Sequence, residues 1–144
     1  MGRRRLGRET AFKALYRVDL MGREIEDALA EMADDSGRDA EALDFARGLL
    51  ETIGAHRPEV DERLRLAAPN WELDRMGAVD RSILRLGIAE ILFWKWIPDR
   101  VSIDEYVEIA KKYGTERSSG FVNAILDRIA RDGPRTESEA RESA

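Results

Sequence analysis

The densest chemistry in the chain lies at its start, where Arg3-Arg4-Arg5-x-x-Arg8 crowds four guanidinium groups into six positions. On a helix, Arg4, Arg5 and Arg8 project within about one turn of each other. A guanidinium gives a phosphate two parallel hydrogen bonds and never loses its charge. Cations at a helix N-terminus oppose the macrodipole, so the cluster gains little locally and suits an external anion. Taken alone, it fits equally a frayed basic terminus that keeps the chain soluble. The catalytic inventory is thin. His56 is the only histidine and cysteine is absent, which removes disulfides, thiolate nucleophiles and the common zinc ligand sets. A lone imidazole beside Arg57 and Pro58 reads as a surface or helix-end residue, because a base needs an orienting partner and a nucleophile. Glu105 and Glu108 stand at i, i+3, but the Glu-x-x-His pairs of a di-metal bundle are missing. No glycine-rich phosphate loop follows a strand. These residues point to a binding protein rather than an enzyme, with no cofactor and no metal.

Composition bounds the setting. The 144 residues suit one domain, 43% hydrophobic and 37% charged, a balance that fits a small helical protein with a large wetted surface. No apolar run approaches the roughly 20 residues needed to span a bilayer, and the basic start is not followed by an apolar segment of signal type. A cytoplasmic protein without membrane contact is the plain expectation. The net charge is −5, which argues against a general nucleic-acid binder, yet the charges are polarised. Residues 1–17 set six basic side chains against Glu9 alone, a balance of +5, whereas residues 24–44 set nine acids against Arg38, a balance of −8. A polyanion is drawn to the first segment and repelled by the second, which favours one docking face.

The elements that position the cluster are helical throughout, and the fold class is all-α. The first helix runs from about Arg4 to Met21, with Ala11, Leu15 and Val18 on one stripe and Gly22 as its stop. A short second helix carries Ile25, Leu29 and Met32 and ends near Asp34–Gly37. The third has Ala42, Phe45, Ala46, Leu49, Leu50 and Ile53 at helical spacing, with Pro58 interrupting or bending it before Val60, Leu64 and Ala67. From about Asp74 to Trp94 the apolar residues cover more than one face, which predicts a central helix. Ser102 with Glu105 forms a capping box, flanked by Val101 and Tyr106 as a hydrophobic staple. Thr115 caps a last helix whose stripe is Val122, Ile125, Leu126 and Ile129. The expected domain is 1–133, followed by a disordered tail over 134–144.

Several strings resemble one family. Arg8-Glu9 followed by Ala14-Leu15-Tyr16, the run Asp80-Arg81-Ser82-Ile83-Leu84-Arg85-Leu86 with Glu90, Val101-Ser102-Ile103-Asp104-Glu105, Ala110-Lys111-Lys112-Tyr113-Gly114 and Phe121-Val122-Asn123-Ala124-Ile125-Leu126-Asp127 are similar, in order and spacing over about residues 4–131, to the NusB family. The resemblance implies two packed three-helix bundles, an N-terminal one over about 4–68 and a C-terminal one over about 71–132. It implies a bacterial transcription antitermination factor that binds the boxA element of nascent RNA, chiefly in ribosomal RNA operons. Such a factor pairs with NusE, a small-subunit ribosomal protein, and acts in the RNA polymerase antitermination complex.

By the same resemblance, Arg4, Arg5 and Arg8 match the family's RNA-binding arginines. Tyr16 matches a tyrosine linked to RNA binding, with a buried core tyrosine as the competing reading. Asp80 and Arg81 match an acidic–basic pair near the joint RNA and partner surface, or else belong to a solvated helix face. Phe121 matches an aromatic close to RNA, where an unpaired base can stack, although a phenylalanine in an apolar stripe is ordinarily core. Asn123 and Asp127 are expected to tie helix ends together. Gly120 stands where relatives often carry a basic residue, which weakens the RNA contact there, and Arg117, expected at the partner face, stands where some carry an acid and partly restores positive charge. Leu6 and Gly7 dilute the arginine run. Two other classes stay open: a homodimer that hides the RNA face, with Trp94 and Trp96 forming an apolar patch, and the N-terminal domain of an RNA cytosine methyltransferase.

Overall fold

A computed structural model describes residues 2–33 and 39–133. The expected stop of the second helix near Asp34–Gly37 and the tail over 134–144 lie outside the described residues. Within them the chain forms six helices: α1 (Arg3–Met21), α2 (Ile25–Ala33), α3 (Ala40–Ala67), α4 (Ala78–Phe93), α5 (Asp99–Tyr113) and α6 (Ser118–Asp132). Among the described residues there is no strand, and no helix is long and apolar enough to cross a membrane. Helices α1, α2 and α3 pack on one another, as do α4, α5 and α6, and α4 joins the two groups by lying against both α1 and α3.

The apolar residues explain this arrangement. Every residue from Ser82 to Leu92 is buried, so α4 is enclosed on all faces, as its unbroken hydrophobicity requires. Close approach to its neighbours depends on small residues. A Cβ added to Gly87 meets the Leu126 side chain of α6 at 2.7 Å, and one added to Gly7 meets Phe45 of α3 at 2.9 Å. Gly7 is therefore more than a gap in an arginine run; it is a point of close approach between α1 and α3.

Inside this apolar frame sits one charged knot. The Glu90 carboxylate on α4 is fully buried, and so is Arg8 of α1 at 2% exposure. The Arg8 guanidinium donates to it through Nε at 3.0 and 3.1 Å and Nη2 at 2.7 Å. On α5, the Ser102 hydroxyl donates at 2.9 Å and the Tyr106 hydroxyl at 2.5 Å. Burial alone lowers the Arg8 pKa, but the hydrogen bond and charge of Glu90 outweigh it and leave the pKa raised. Burial, then the charge of Glu90, pushes the Tyr106 hydroxyl well above its ordinary value, so it stays a donor. A buried ion pair is tolerable only when its remaining lone pairs are satisfied, and here two helices supply the donors.

Four local expectations are corrected. Ser102 and Glu105 form no capping box: α5 begins at Asp99 after Pro98, Ser102 turns inward to Glu90, and Glu105 pairs with Arg5 at 2.8 Å. Val101 and Tyr106 form no staple, because Tyr106 is fully buried while Val101 is 42% exposed. Helix α4 starts at Ala78, after a 3₁₀ turn over Leu73–Arg75 and an extended Met76 at φ −67°, ψ 139°. Asn123 is exposed and Asp127 pairs with Arg131 in its own helix at 2.6 Å, so neither ties helix ends together. Pro58 does distort its helix: α3 continues through it, with non-helical geometry at His56 (φ −127°, ψ 23°).

Replacing Arg8 with Met strands the Glu90 charge in the core. Its expected cost is about 3–5 kcal/mol of stability, read as a fall in the urea midpoint, and Arg8→Met with Glu90→Leu recovers much of the loss.

Candidate nucleic-acid interface

The first turn of α1 holds no acid to complement the helix dipole, so its stability at that end comes from neighbouring helices. Arg3 reaches Asp39 at 3.4 Å and Glu41 at 2.7 Å. Asp39 is also the N-cap of α3, accepting from the Glu41 and Ala42 amides. Arg5 pairs with Glu105 of α5 through two hydrogen bonds. Arg4 has no carboxylate partner among the described residues; its guanidinium lies over the Trp96 ring, 5.0 Å from the centroid. Four arginines thus have four environments, and one of them keeps its donors uncommitted.

One turn further, Glu9 accepts from Lys112 of α5 at 2.6 Å and from the Tyr113 hydroxyl. Burial works to raise the Glu9 pKa, but the hydrogen bonds from Lys112 and Tyr113, with the Lys112 charge, leave it lowered. Lys13 and Lys112 both approach the Tyr113 ring, at 5.8 and 5.4 Å from its centroid. Beside them lies an open groove of about 700 Å³, bounded by Lys13, Tyr16 and Arg17 of α1, Met32 of α2 and Tyr113. The exposed side of α1 and the end of α5 form a band of cations and aromatic rings.

The residues singled out in the sequence divide among three places. Arg4 and Arg5 lie on the exposed edge, and Tyr16 is half-buried at the groove wall, 6.0 Å from Phe12. Arg8 is removed from the surface at 2% exposure, with its Nε and Nη2 committed to Glu90, a placement that does not favour the expected direct contact with RNA. Arg81 is also committed inward, to Asp19 of α1 at 2.5 Å and to the Leu73 and Met76 carbonyls at 2.7 Å. Asp80 does not pair with it; this half-buried carboxylate lies in the first turn of α4 with Oδ1 unpartnered. Arg117 is exposed at the start of α6. Phe121 is half-buried against Trp71, at 5.6 Å.

Two features escaped the sequence reading. Trp71 is 53% exposed and gives Phe121 an aromatic neighbour; its place just after Pro69-Asn70 was the available signal. Trp96, 59% exposed, meets Arg4 across 92 positions, a distance that local periodicity does not reach. The two tryptophans of the α4–α5 turn also differ from each other. Trp94 is half-buried and donates its indole N–H to Thr52 at 3.0 Å, while Trp96 faces outward.

A family model described as the NusB family matches residues 5–131. Transcription antitermination protein NusB of Myxococcus xanthus is 44% identical over 134 residues, covering 90% of this chain and 96% of the relative. The protein of the same name from Geobacter sulfurreducens is 45% identical over 131 residues, covering 90% and 95%. A solved structure of T. maritima NusB superposes with a TM-score of 0.83 at 39% identity, covering 98% of each chain. Another, of antitermination factors NusB and NusE in complex with dsRNA, gives a TM-score of 0.81 at 32% identity over 92% of this chain and 98% of that one.

The lowered Glu9 pKa means that its bonds to α5 stabilise the fold fully above the ordinary carboxylate range and lose that effect as pH falls through the folded-state value. Glu9→Gln should therefore melt below the unsubstituted protein at pH 7. The gap between the two melting temperatures should narrow as pH falls below the ordinary glutamate value of about 4.3.

Proposed function

The chain belongs to the NusB family, and from that premise we propose that it is a transcription antitermination factor that binds boxA-type single-stranded RNA together with NusE. It has no catalytic role in this reading and works inside the cell with RNA polymerase, on ribosomal RNA operons. The observation that carries the proposal is the match, over nine-tenths of the chain, to relatives named transcription antitermination protein NusB. The geometry supports it. A phosphate backbone needs cations at a solvated edge, and the band running from Arg4 and Arg5 to Lys13 and Lys112 supplies them on a protein whose net charge is −5. Aromatic rings at Tyr16, Phe121 and Trp71 offer faces on which splayed bases stack.

Arg8 acts here at one remove. It fixes the roll of α1 through Glu90, and so determines which way Arg4 and Arg5 face. Asp80 and Arg117, at the starts of α4 and α6, are assigned to the partner surface. Arg81 serves both surfaces by clamping the 3₁₀ turn beside Trp71 to Asp19. The solved NusB–NusE complex contains dsRNA, so duplex RNA is the informative competitor.

The test is binding to a labelled single-stranded boxA-type RNA, a scrambled strand and a duplex, with and without NusE. The single strand should be preferred and NusE should strengthen it. Arg4→Ala with Arg5→Ala should weaken binding at low salt by roughly tenfold or more and flatten the slope of log affinity against log salt by about 2. Equal affinity for all three RNAs, with and without NusE, rejects the proposal.

A further inference from the structure

The first turn of α1 distributes its cations unequally. Arg3, Arg5 and Arg8 each face a carboxylate, whereas Arg4 lies over an indole. The two kinds of partner have opposite consequences for binding. A carboxylate takes up the in-plane N–H donors and cancels the charge, so a phosphate must displace it. A π face attracts the cation from above or below and leaves the donors at the guanidinium rim unoccupied. It also restricts a long side chain that otherwise loses much rotamer freedom on binding.

Trp96 is itself held from several sides. Its ring stacks on Trp94 at 5.3 Å with a 26° interplanar angle and takes the edge of Phe45 at 6.4 Å. Trp94 is anchored by its bond to Thr52, and the turn closes through the Ile97 amide to the Trp94 carbonyl at 3.0 Å. Stacked on Trp94 and packed against Phe45, the indole is a fixed wall rather than a loose side chain.

We propose that Trp96 is a positioning residue for RNA binding, which holds the Arg4 guanidinium over its ring with the donors free so that this arginine makes the strongest phosphate contact of the cluster. The inference rests on the RNA reading above and adds a determinant lying outside α1. It separates Arg4 from Arg5, whose phosphate contact requires breaking the Glu105 bonds first.

The test is a double-mutant cycle on the RNA affinity of the full chain with NusE, using Arg4→Ala, Trp96→Leu and the pair. Trp96→Leu should weaken binding about two- to fivefold, the range of an exposed cation–π contact. The double variant should bind no worse than Arg4→Ala alone, because both changes remove one coupled contact. Trp96→Phe, which keeps a π face, should restore most of the loss. Thermal melts check that the fold is intact, and Trp96→Gln replaces Trp96→Leu if the leucine variant melts early. Losses that add in the double variant show that Trp96 contacts RNA independently, as a base-stacking surface, and overturn the inference. Undiminished affinity in Trp96→Leu overturns it as well while leaving the RNA reading standing, whereas failure of the unsubstituted protein to bind overturns both.

Discussion

The buried pair of Arg8 and Glu90 is the constraint around which the molecule is organised. A carboxylate at the centre of the most apolar helix is costly unless its lone pairs are filled, and filling them requires α1 and α5 at fixed distances from α4. The Ser102 and Tyr106 hydroxyls complete the set, so one charge specifies the relative placement of three helices. Helices α1 and α3 meet α4 elsewhere through a second ionic group, where Asp19 takes Arg81 and Asp61 takes Arg85 at 2.9 Å. Apolar packing supplies the bulk of the burial. The ionic groups settle which of many similar packings is adopted, since a helix rotated by one residue strands a charge.

The surface inherits its pattern from that interior. Because Arg8 points inward, Arg4 and Arg5 point outward on adjacent azimuths of the same helix, one toward the α4–α5 turn and one toward α5. Two different partners then give two grades of cation, one neutralised and one available. The acids of α3 and α5 are essential to this economy, because a first turn of arginines has no favourable dipole of its own.

Much of the fold was legible in the sequence, and its limits are physical. Period 3.6 located all six helices, Gly22 marked the end of α1 at φ 63°, and the apolar residues between about Asp74 and Trp94 pointed to a central helix. Each of these is a local signal. What failed was the assignment of polar side chains whose partners are distant in sequence. Ser102-x-x-Glu105 carries the spacing of a cap, but both side chains are drawn away by Glu90 and Arg5. Arg8 sits in a basic string yet finds its counter-ion 82 positions later. The site was read as a string of cations, and only the tertiary contacts sorted that string into core, neutralised and free members.

The long sequence separation of the Arg8 contacts carries a consequence for biogenesis. Helix α1 leaves the ribosome before the other five helices, and its apolar stripe can collapse onto α3 once that helix is made. Its charged residues cannot be settled then, because Glu90, Glu105 and Lys112 belong to later segments. Until α4 and α5 are synthesised, docking α1 in its native roll buries an arginine without a counter-ion. The nascent chain therefore keeps its basic helix unlocked until α5 has been made, and the arginine edge acquires its final form only then.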